Sequence, residues 1–65
     1  MTQNNIMRHV YRALDDNDKA KMLAIKDKGL EFWEFIDSLG SSRELSCAKT
    51  KIEEAVMWAI KDVTK

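Results

Sequence analysis

The chain has 65 residues, a formal net charge of zero, one cysteine and one histidine. A lone cysteine excludes an intrachain disulfide, and with one histidine it cannot supply the ligands of a structural zinc site. The neutral charge argues against duplex nucleic acid as the partner, because a dedicated DNA binder needs a basic excess to neutralise phosphates. We expect a single domain over residues 1–65, and because so small a core seldom suffices alone, we expect self-association.

The composition predicts an all-α protein. There is no proline, there are only two glycines, and no stretch alternates apolar with polar residues for long enough to make a strand. No apolar run approaches the roughly 20 residues of a membrane span, and the N-terminus lacks the apolar region of a secretory leader. Together with the free thiol, these features lead us to expect a cytoplasmic protein with no membrane partner.

The first predicted helix is short and runs from Ile6 to Leu14. Its apolar residues form one stripe, but so short a helix needs a docking surface to be stable. The acidic run that follows predicts the start of a second helix, with Asp15 as N-cap and with Asp16 and Asp18 at the positive helix end. A calcium loop is rejected, because apolar residues stand where oxygen ligands are needed.

The second predicted helix is long and runs from about Asn17 to Leu39. Its apolar seam, in steps of three and four, consists of Met22, Ile25, Gly29, Phe32, Ile36 and Leu39. The seam is broadened by Leu23, Leu30, Trp33 and Phe35. A glycine inside a helix costs about 1 kcal/mol relative to alanine, so at Gly29 we expect a close helix crossing or, less commonly, a ligand against the backbone. Gly40 is predicted to end the helix in the left-handed conformation, and so short a break makes the next helix antiparallel.

The third predicted helix opens with a capping box, in which Ser41 accepts from the backbone of Glu44, and runs through Lys61. Its apolar face consists of Leu45, Ala48, Ile52, Ala55 and Ala59, and it is widened on one side by Val56, Ile60 and Val63. The two long helices also carry bulky aromatics beyond what one stripe each can bury, namely Phe32, Trp33, Phe35 and Trp58. This surplus, rimmed by charge, predicts an oligomer interface.

The residues do not predict an enzyme. The histidine lies in the short N-terminal helix, and the sequence has no glycine-rich phosphate loop. Glu53 and Glu54 are adjacent on a helix and point about 100° apart, so they cannot share a substrate. We interpret them as a solvated face offset by Lys49 and Lys51, and Cys47 as a tolerated small residue.

A diffuse group of cations accompanies Tyr11. It consists of Arg8, Arg12, Lys19, Lys21, Lys26 and Lys28. Cationic side chains bind phosphate and a tyrosine ring can stack on a nucleobase, so two such sets across a symmetric interface could hold a ligand with two bases and two phosphates. The residues alone favour a plainer interpretation, in which Tyr11 fills the core and the lysines form a solvated helix face.

The third helix also carries an extended motif. It consists of Ser42-Arg43-Glu44, Ser46, Ala48 and the run from Thr50 to Ala59. The motif resembles the signature SRE–S–A–TKLEEAVMWAN of the phage-encoded anti-CBASS cyclic-nucleotide sponges of the anti-CBASS protein 2 type, with Ile52 for the usual leucine and Ile60 for the usual asparagine. Upstream, Tyr11 and the run from Asp15 to Lys26 are similar to that family's tyrosine and its TEEQKARYEAIR-like segment. The resemblance covers roughly residues 8–60.

This resemblance implies an intertwined helical homohexamer that performs no reaction, and we expect neither a metal nor a cofactor. The chain would sequester cyclic dinucleotide messengers such as 3′,3′-cGAMP and so keep bacterial antiphage effectors inactive; some members of the family also take cyclic trinucleotides at a separate site. Tyr11 matches the base-stacking aromatic and Lys26 the phosphate-contacting position, while Arg8 and Arg12 are candidates because they lie near Tyr11.

Two other functional hypotheses remain open at this point. The first is an oligomeric helical protein-interaction module with no nucleotide ligand, which would use the surplus apolar surface to engage another protein. The second and weaker one is a small DNA-binding regulator, against which the neutral charge and the absence of a helix-turn-helix pattern weigh. The interaction module differs from the sponge in that Tyr11 and Lys26 would not matter for its activity, whereas a flat gel-shift titration with DNA would dismiss the regulator.

Overall fold

The computed structural model describes residues 13–65. In this range the chain forms two α-helices, α1 (Asp16–Ser38) and α2 (Arg43–Thr64), and no strand, which confirms the all-α class. The two helices pack against each other. Asp37, near the end of α1, pairs with Lys49, near the start of α2, so the helices form the antiparallel hairpin that the short break predicted.

Helix α1 begins at a reciprocal capping box. Asp15 has an extended backbone, and its carboxylate accepts from the backbone N–H of Asp18 at 2.8 Å, while the carboxylate of Asp18 accepts from the N–H of Asp15 at 3.3 Å. This confirms Asp15 as the N-cap. The predicted first helix is wrong at its end, since Ala13 and Leu14 are not helical and lead into this extended residue; the rest of its range lies outside the described residues.

Helix α1 ends as predicted at a left-handed glycine. Leu39 still has helical backbone angles, and its N–H donates to the carbonyl oxygen of Ile36 at 3.1 Å. Gly40 follows with a φ of +130°, a conformation that a side chain would strain. The reversal of chain direction therefore takes place at Gly40.

The start of α2 lies one residue later than predicted. Ser42, and not Ser41, is the N-cap: it has an extended backbone, and its hydroxyl accepts from the N–H of Leu45 at 3.0 Å. The third helical position is therefore Leu45, which has no carboxylate to complete a capping box. Glu44 instead lies in the first turn, where its charge is favourable at the positive helix end.

The hairpin has very little interior. Among the described residues only Ile52 counts as buried, at 8% exposed. The partly buried residues of α1 include Met22, Ile25, Gly29, Trp33 and Ile36, and those of α2 include Leu45, Ala48, Val56, Ala59, Ile60 and Val63. The predicted seam is thus confirmed at four positions. It is wrong at Phe32 and Leu39, because the seam advances by four residues after Gly29 and so brings in Trp33.

The two helices come close together at Gly29. A Cβ atom added there would overlap the Cγ2 methyl group of Val56 on the other helix. This confirms a close helix crossing as the reason for a glycine inside a long helix. The crossing divides the surface of the hairpin into two sides, and each side has its own groove.

Large apolar side chains remain exposed on both helices. They are Leu23, Leu30, Phe32, Phe35, Leu39, Met57 and Trp58, between 45% and 62% exposed. In the described part of the chain, neither helix has a stretch long and apolar enough to cross a bilayer. A contact between two helices alone cannot cover this surface, because each helix presents only one stripe to the other.

Candidate ligand-binding site

Two grooves flank the helix crossing. The first, which we call the Lys26 groove, has a volume of about 470 Å³ and is lined by Lys26, Gly29, Leu30, Trp33, Ile52, Glu53 and Val56. The second, the Lys28 groove, has a volume of about 620 Å³ and is lined by Ile25, Lys28, Gly29, Phe32, Ala48, Lys51, Ile52, Ala55 and Val56. They share Gly29, Ile52 and Val56, so the crossing forms the floor of both.

Lys26 lies on one rim of its groove. Leu30 and Trp33 follow it on α1 in steps of four and three residues, a spacing that keeps all three on one stripe of the helix. Within residues 13–65, no carboxylate forms an ion pair with Lys26. Beside the Glu53 carboxylate of α2, the groove therefore presents an apolar surface, an indole ring and an ammonium group that has no ion-pair partner among residues 13–65. These three features suit an anionic ligand with an aromatic part.

A set of polar contacts crosses from α1 to α2 along the same side. The indole N–H of Trp33 donates to Oε2 of Glu53 at 3.1 Å. The ammonium of Lys49 lies 5.0 Å from the centroid of the Trp33 ring and donates to Oδ1 of Asp37 at 2.7 Å. We call these four residues the Trp33 bridge. It fixes the orientation of the indole ring, because the ring is held at its edge and on its face.

The Lys28 groove has a different character. Its floor consists of small and branched apolar residues, among them Ala48 and Ala55, and Phe32 forms one wall at 54% exposed. Lys28 and Lys51 stand on its rims, and Lys51 is paired within its own helix with Glu54 at 3.4 Å. Its lining residues make no hydrogen bond or ion pair from one helix to the other in the described part of the chain.

The structure describes only one of the four predicted site residues. Lys26 lines a groove, whereas Tyr11, Arg8 and Arg12 lie outside the described residues. Whether all four meet at one site therefore stays a prediction.

The sequence interpretation missed the Trp33 bridge. It placed Glu53 and Lys49 on a solvated face, but the structure joins Glu53 to Trp33 and Lys49 to Asp37 on the other helix. A signal for the bridge does exist in the sequence. Trp33 and Asp37 are four residues apart on α1, Lys49 and Glu53 are four apart on α2, and the antiparallel register pairs them crosswise.

The remaining polar groups of residues 13–65 lie apart from the two grooves or pair locally on the surface. Within the described range, no three metal-ligating side chains gather, and Cys47 is exposed. Near the C-terminus, the hydrogen bond from Lys65 and its positive charge lower the pKa of Asp62, which lines neither groove. The adjacent carboxylates diverge as expected, since Glu53 bonds Trp33 while Glu54 bonds Lys51.

Comparison with known proteins supplies one match. A family model described as "Acb2/Tad1, hairpin domain" matches residues 3–64. No curated protein and no solved structure matches the chain. The matched range includes both helices, and the hairpin of the description is the fold that α1 and α2 form.

Proposed function

We propose that this chain, which belongs to the Acb2/Tad1 hairpin family of phage cyclic-nucleotide sponges, binds and sequesters cyclic dinucleotide messengers such as 3′,3′-cGAMP. Sequestration in the host bacterial cytoplasm would keep the messenger from the CBASS effectors that respond to it. A sponge of this kind acts by mass action, so it needs affinity and abundance, and no reaction.

The observation that carries this proposal is the position of Lys26. Its ammonium stands on the rim of an open groove, it has no carboxylate partner among the described residues, and apolar and aromatic side chains lie beside it. A phosphate and an adjoining base need this combination of groups. Tyr11 is the proposed stacking ring for a base, with Arg8 and Arg12 as further cations.

We also propose that the functional unit is a homo-oligomer, with the hexamer as the expected state. Support comes from the small interior: one buried residue in the described range stands against seven large exposed apolar side chains. The Lys28 groove is the surface we assign to contact between copies, because its lining is almost entirely apolar, includes the small residues Ala48 and Ala55, and contains Phe32 at 54% exposed. The copies can then present two lysines to a ligand with two phosphates.

Calorimetry with 3′,3′-cGAMP tests the binding proposal. We expect Lys26→Ala and Tyr11→Ala each to weaken binding about tenfold or more, since each removes a charged or stacking contact with the ligand. Lys61→Ala is the control, because Lys61 is an exposed lysine that lines neither groove and does not belong to the group of cations around Tyr11. Heat denaturation of the complex should release the ligand intact, whereas degraded ligand would place the protein among enzymes.

The protein-interaction hypothesis has its own support in the exposed aromatic side chains, among them Phe35 and Trp58, each 62% exposed. The protein-interaction hypothesis predicts the opposite result for the Tyr11 and Lys26 variants. Under this hypothesis Tyr11→Ala and Lys26→Ala leave the biological activity unchanged, and substitution of Trp33 or Trp58 abolishes it. Measuring the protection of phage by these variants in a CBASS-carrying host separates the two hypotheses.

A further inference from the structure

We propose that Trp33 acts as a positioning residue that keeps the Glu53 carboxylate from pairing with Lys26 and from turning toward an anion bound there. The inference rests on the proposed function, because it concerns the affinity of the Lys26 groove for a phosphate-bearing ligand. It assigns roles to a tryptophan and a glutamate that neither the family match nor the sequence pattern singles out.

The Lys26 groove contains side chains of both charges. Lys26 and Glu53 line the same groove, one from each helix, yet they form no ion pair. A carboxylate facing this space would repel a phosphate and attract the ammonium that should bind it. The site therefore works best when the position of Glu53 is controlled.

A hydrogen bond from Trp33 holds the carboxylate of Glu53 in position. Its Oε2 accepts the indole N–H of Trp33 at 3.1 Å, so the carboxylate has a fixed partner other than Lys26. The indole is itself held, since Lys49 lies over the ring at 5.0 Å and is tied to Asp37 at 2.7 Å. The side chain of Lys49 is only 22% exposed, so its charge is largely shielded from water.

Packing alone does not fix the position of the Glu53 side chain in this hairpin. Close-packed interiors normally fix side-chain positions, but this hairpin has a single buried residue in the described range. Trp33 is only partly buried, so its ring depends on directional contacts for its orientation. The Lys28 groove has no such contacts, and it carries no carboxylate among its lining residues. The Trp33 bridge therefore lies on the side of the hairpin whose groove contains a carboxylate, that of Glu53.

The experiment measures binding of 3′,3′-cGAMP by calorimetry, and thermal unfolding, for Trp33→Phe, Glu53→Gln and the double variant. Phenylalanine keeps an aromatic ring but removes the N–H donor, so Glu53 is released, and we expect binding about fivefold weaker. Glutamine removes the charge but keeps an acceptor for the indole, so Glu53→Gln should bind about twofold more tightly. In the double variant nothing charged remains to be released, and affinity should return to within about twofold of the wild type.

Thermal unfolding separates this role from a merely structural one. The double variant should keep the lowered Tm of Trp33→Phe while it regains affinity, because the hydrogen bond is still absent. Glu54→Gln is the matched control, since the neighbouring carboxylate bonds Lys51 on the other side of the helix. Should Trp33→Phe fail to fold, Glu53→Asp keeps the charge on a side chain too short for the indole and should weaken binding similarly, with Glu53→Asn as its uncharged counterpart.

Three results would overturn the inference. Affinity that stays as low in the double variant as in Trp33→Phe would show that the charge of Glu53 is irrelevant. Unchanged affinity in Trp33→Phe and Glu53→Asp would show that the bridge does not influence the groove. A wild-type protein that binds no cyclic dinucleotide is a different result, because it removes the proposed function itself and the positioning role with it.

Discussion

The two sides of the hairpin share a floor and differ in almost everything else. The Lys26 side has an indole ring held by hydrogen bonding and by a cation, whereas the Lys28 side is nearly all apolar and has small residues at its base. Directional polar contacts fix positions, and apolar surface supplies affinity without direction. We therefore propose that the Lys26 side recognises the ligand and that the Lys28 side makes the contact between copies.

The largest effect on stability is expected for a substitution at the helix crossing, whose residues line both grooves. Gly29→Val places a branched side chain against Val56, whose own χ1 is restricted, so the helices must separate. We expect a loss of about 2–3 kcal/mol in the free energy of unfolding, measured by urea denaturation, and damage to both grooves. Val56→Ala in the same chain should restore part of the loss, and equal instability with and without it would argue against the close crossing.

The next largest effect is expected for a substitution in the Lys28 groove, and it concerns the mass of the oligomer. Phe32→Glu places a charge in the proposed contact between copies, where burying a phenylalanine is worth about 1.5–3 kcal/mol. Light scattering coupled to size-exclusion chromatography should then give a smaller particle than the wild type. Ser46→Glu on the exposed outer face of α2 is the control and should leave the mass unchanged. If the mass of Phe32→Glu is also unchanged, another surface joins the copies.

Ionic strength distinguishes the Lys26 side from the Lys28 side. Raising salt from about 0.05 to 0.5 M should weaken binding of 3′,3′-cGAMP about tenfold, because it screens the lysine–phosphate attraction. Lys26→Ala should flatten this salt dependence, whereas Lys28→Ala should retain it. Equal slopes for the two variants would mean that the charge contact does not belong to the Lys26 groove.

The smallest effect concerns the start of α2, away from both grooves. Ser42→Ala removes the hydroxyl that accepts from Leu45 and should lower the free energy of unfolding by about 1 kcal/mol. Ser41→Ala should change it by no more than about 0.5 kcal/mol, since Ser41 lies outside the helix and is exposed. Chemical denaturation of the pair tests this, and the reverse order would place the N-cap at Ser41.

Much of this fold can be predicted from local sequence. The capping residue Asp15, the terminating glycine Gly40 and the crossing at Gly29 follow from backbone requirements that few residues satisfy. The error at Ser41 arises because Glu44 completes a capping-box pattern with Ser41, whereas the neighbouring Ser42 satisfies only the simpler N-cap preference. Only the three-dimensional path of the chain decides between such neighbours.

The candidate site is harder to predict, because it depends on register between helices. Lys26 was identified through the family motif, but its groove exists only once α2 packs against α1 at a defined height. The Trp33–Glu53 contact likewise joins residues distant in sequence. The sequence of α2 alone predicts a solvated Glu53, because its partner Trp33 lies on the other helix.

The most direct test of the central claim is native mass spectrometry of the purified chain with and without 3′,3′-cGAMP. We expect a particle of several identical chains whose mass rises by whole numbers of ligand, with the ligand recovered unaltered on denaturation. A stable single chain, or a particle whose mass does not change when the ligand is added, would contradict the account.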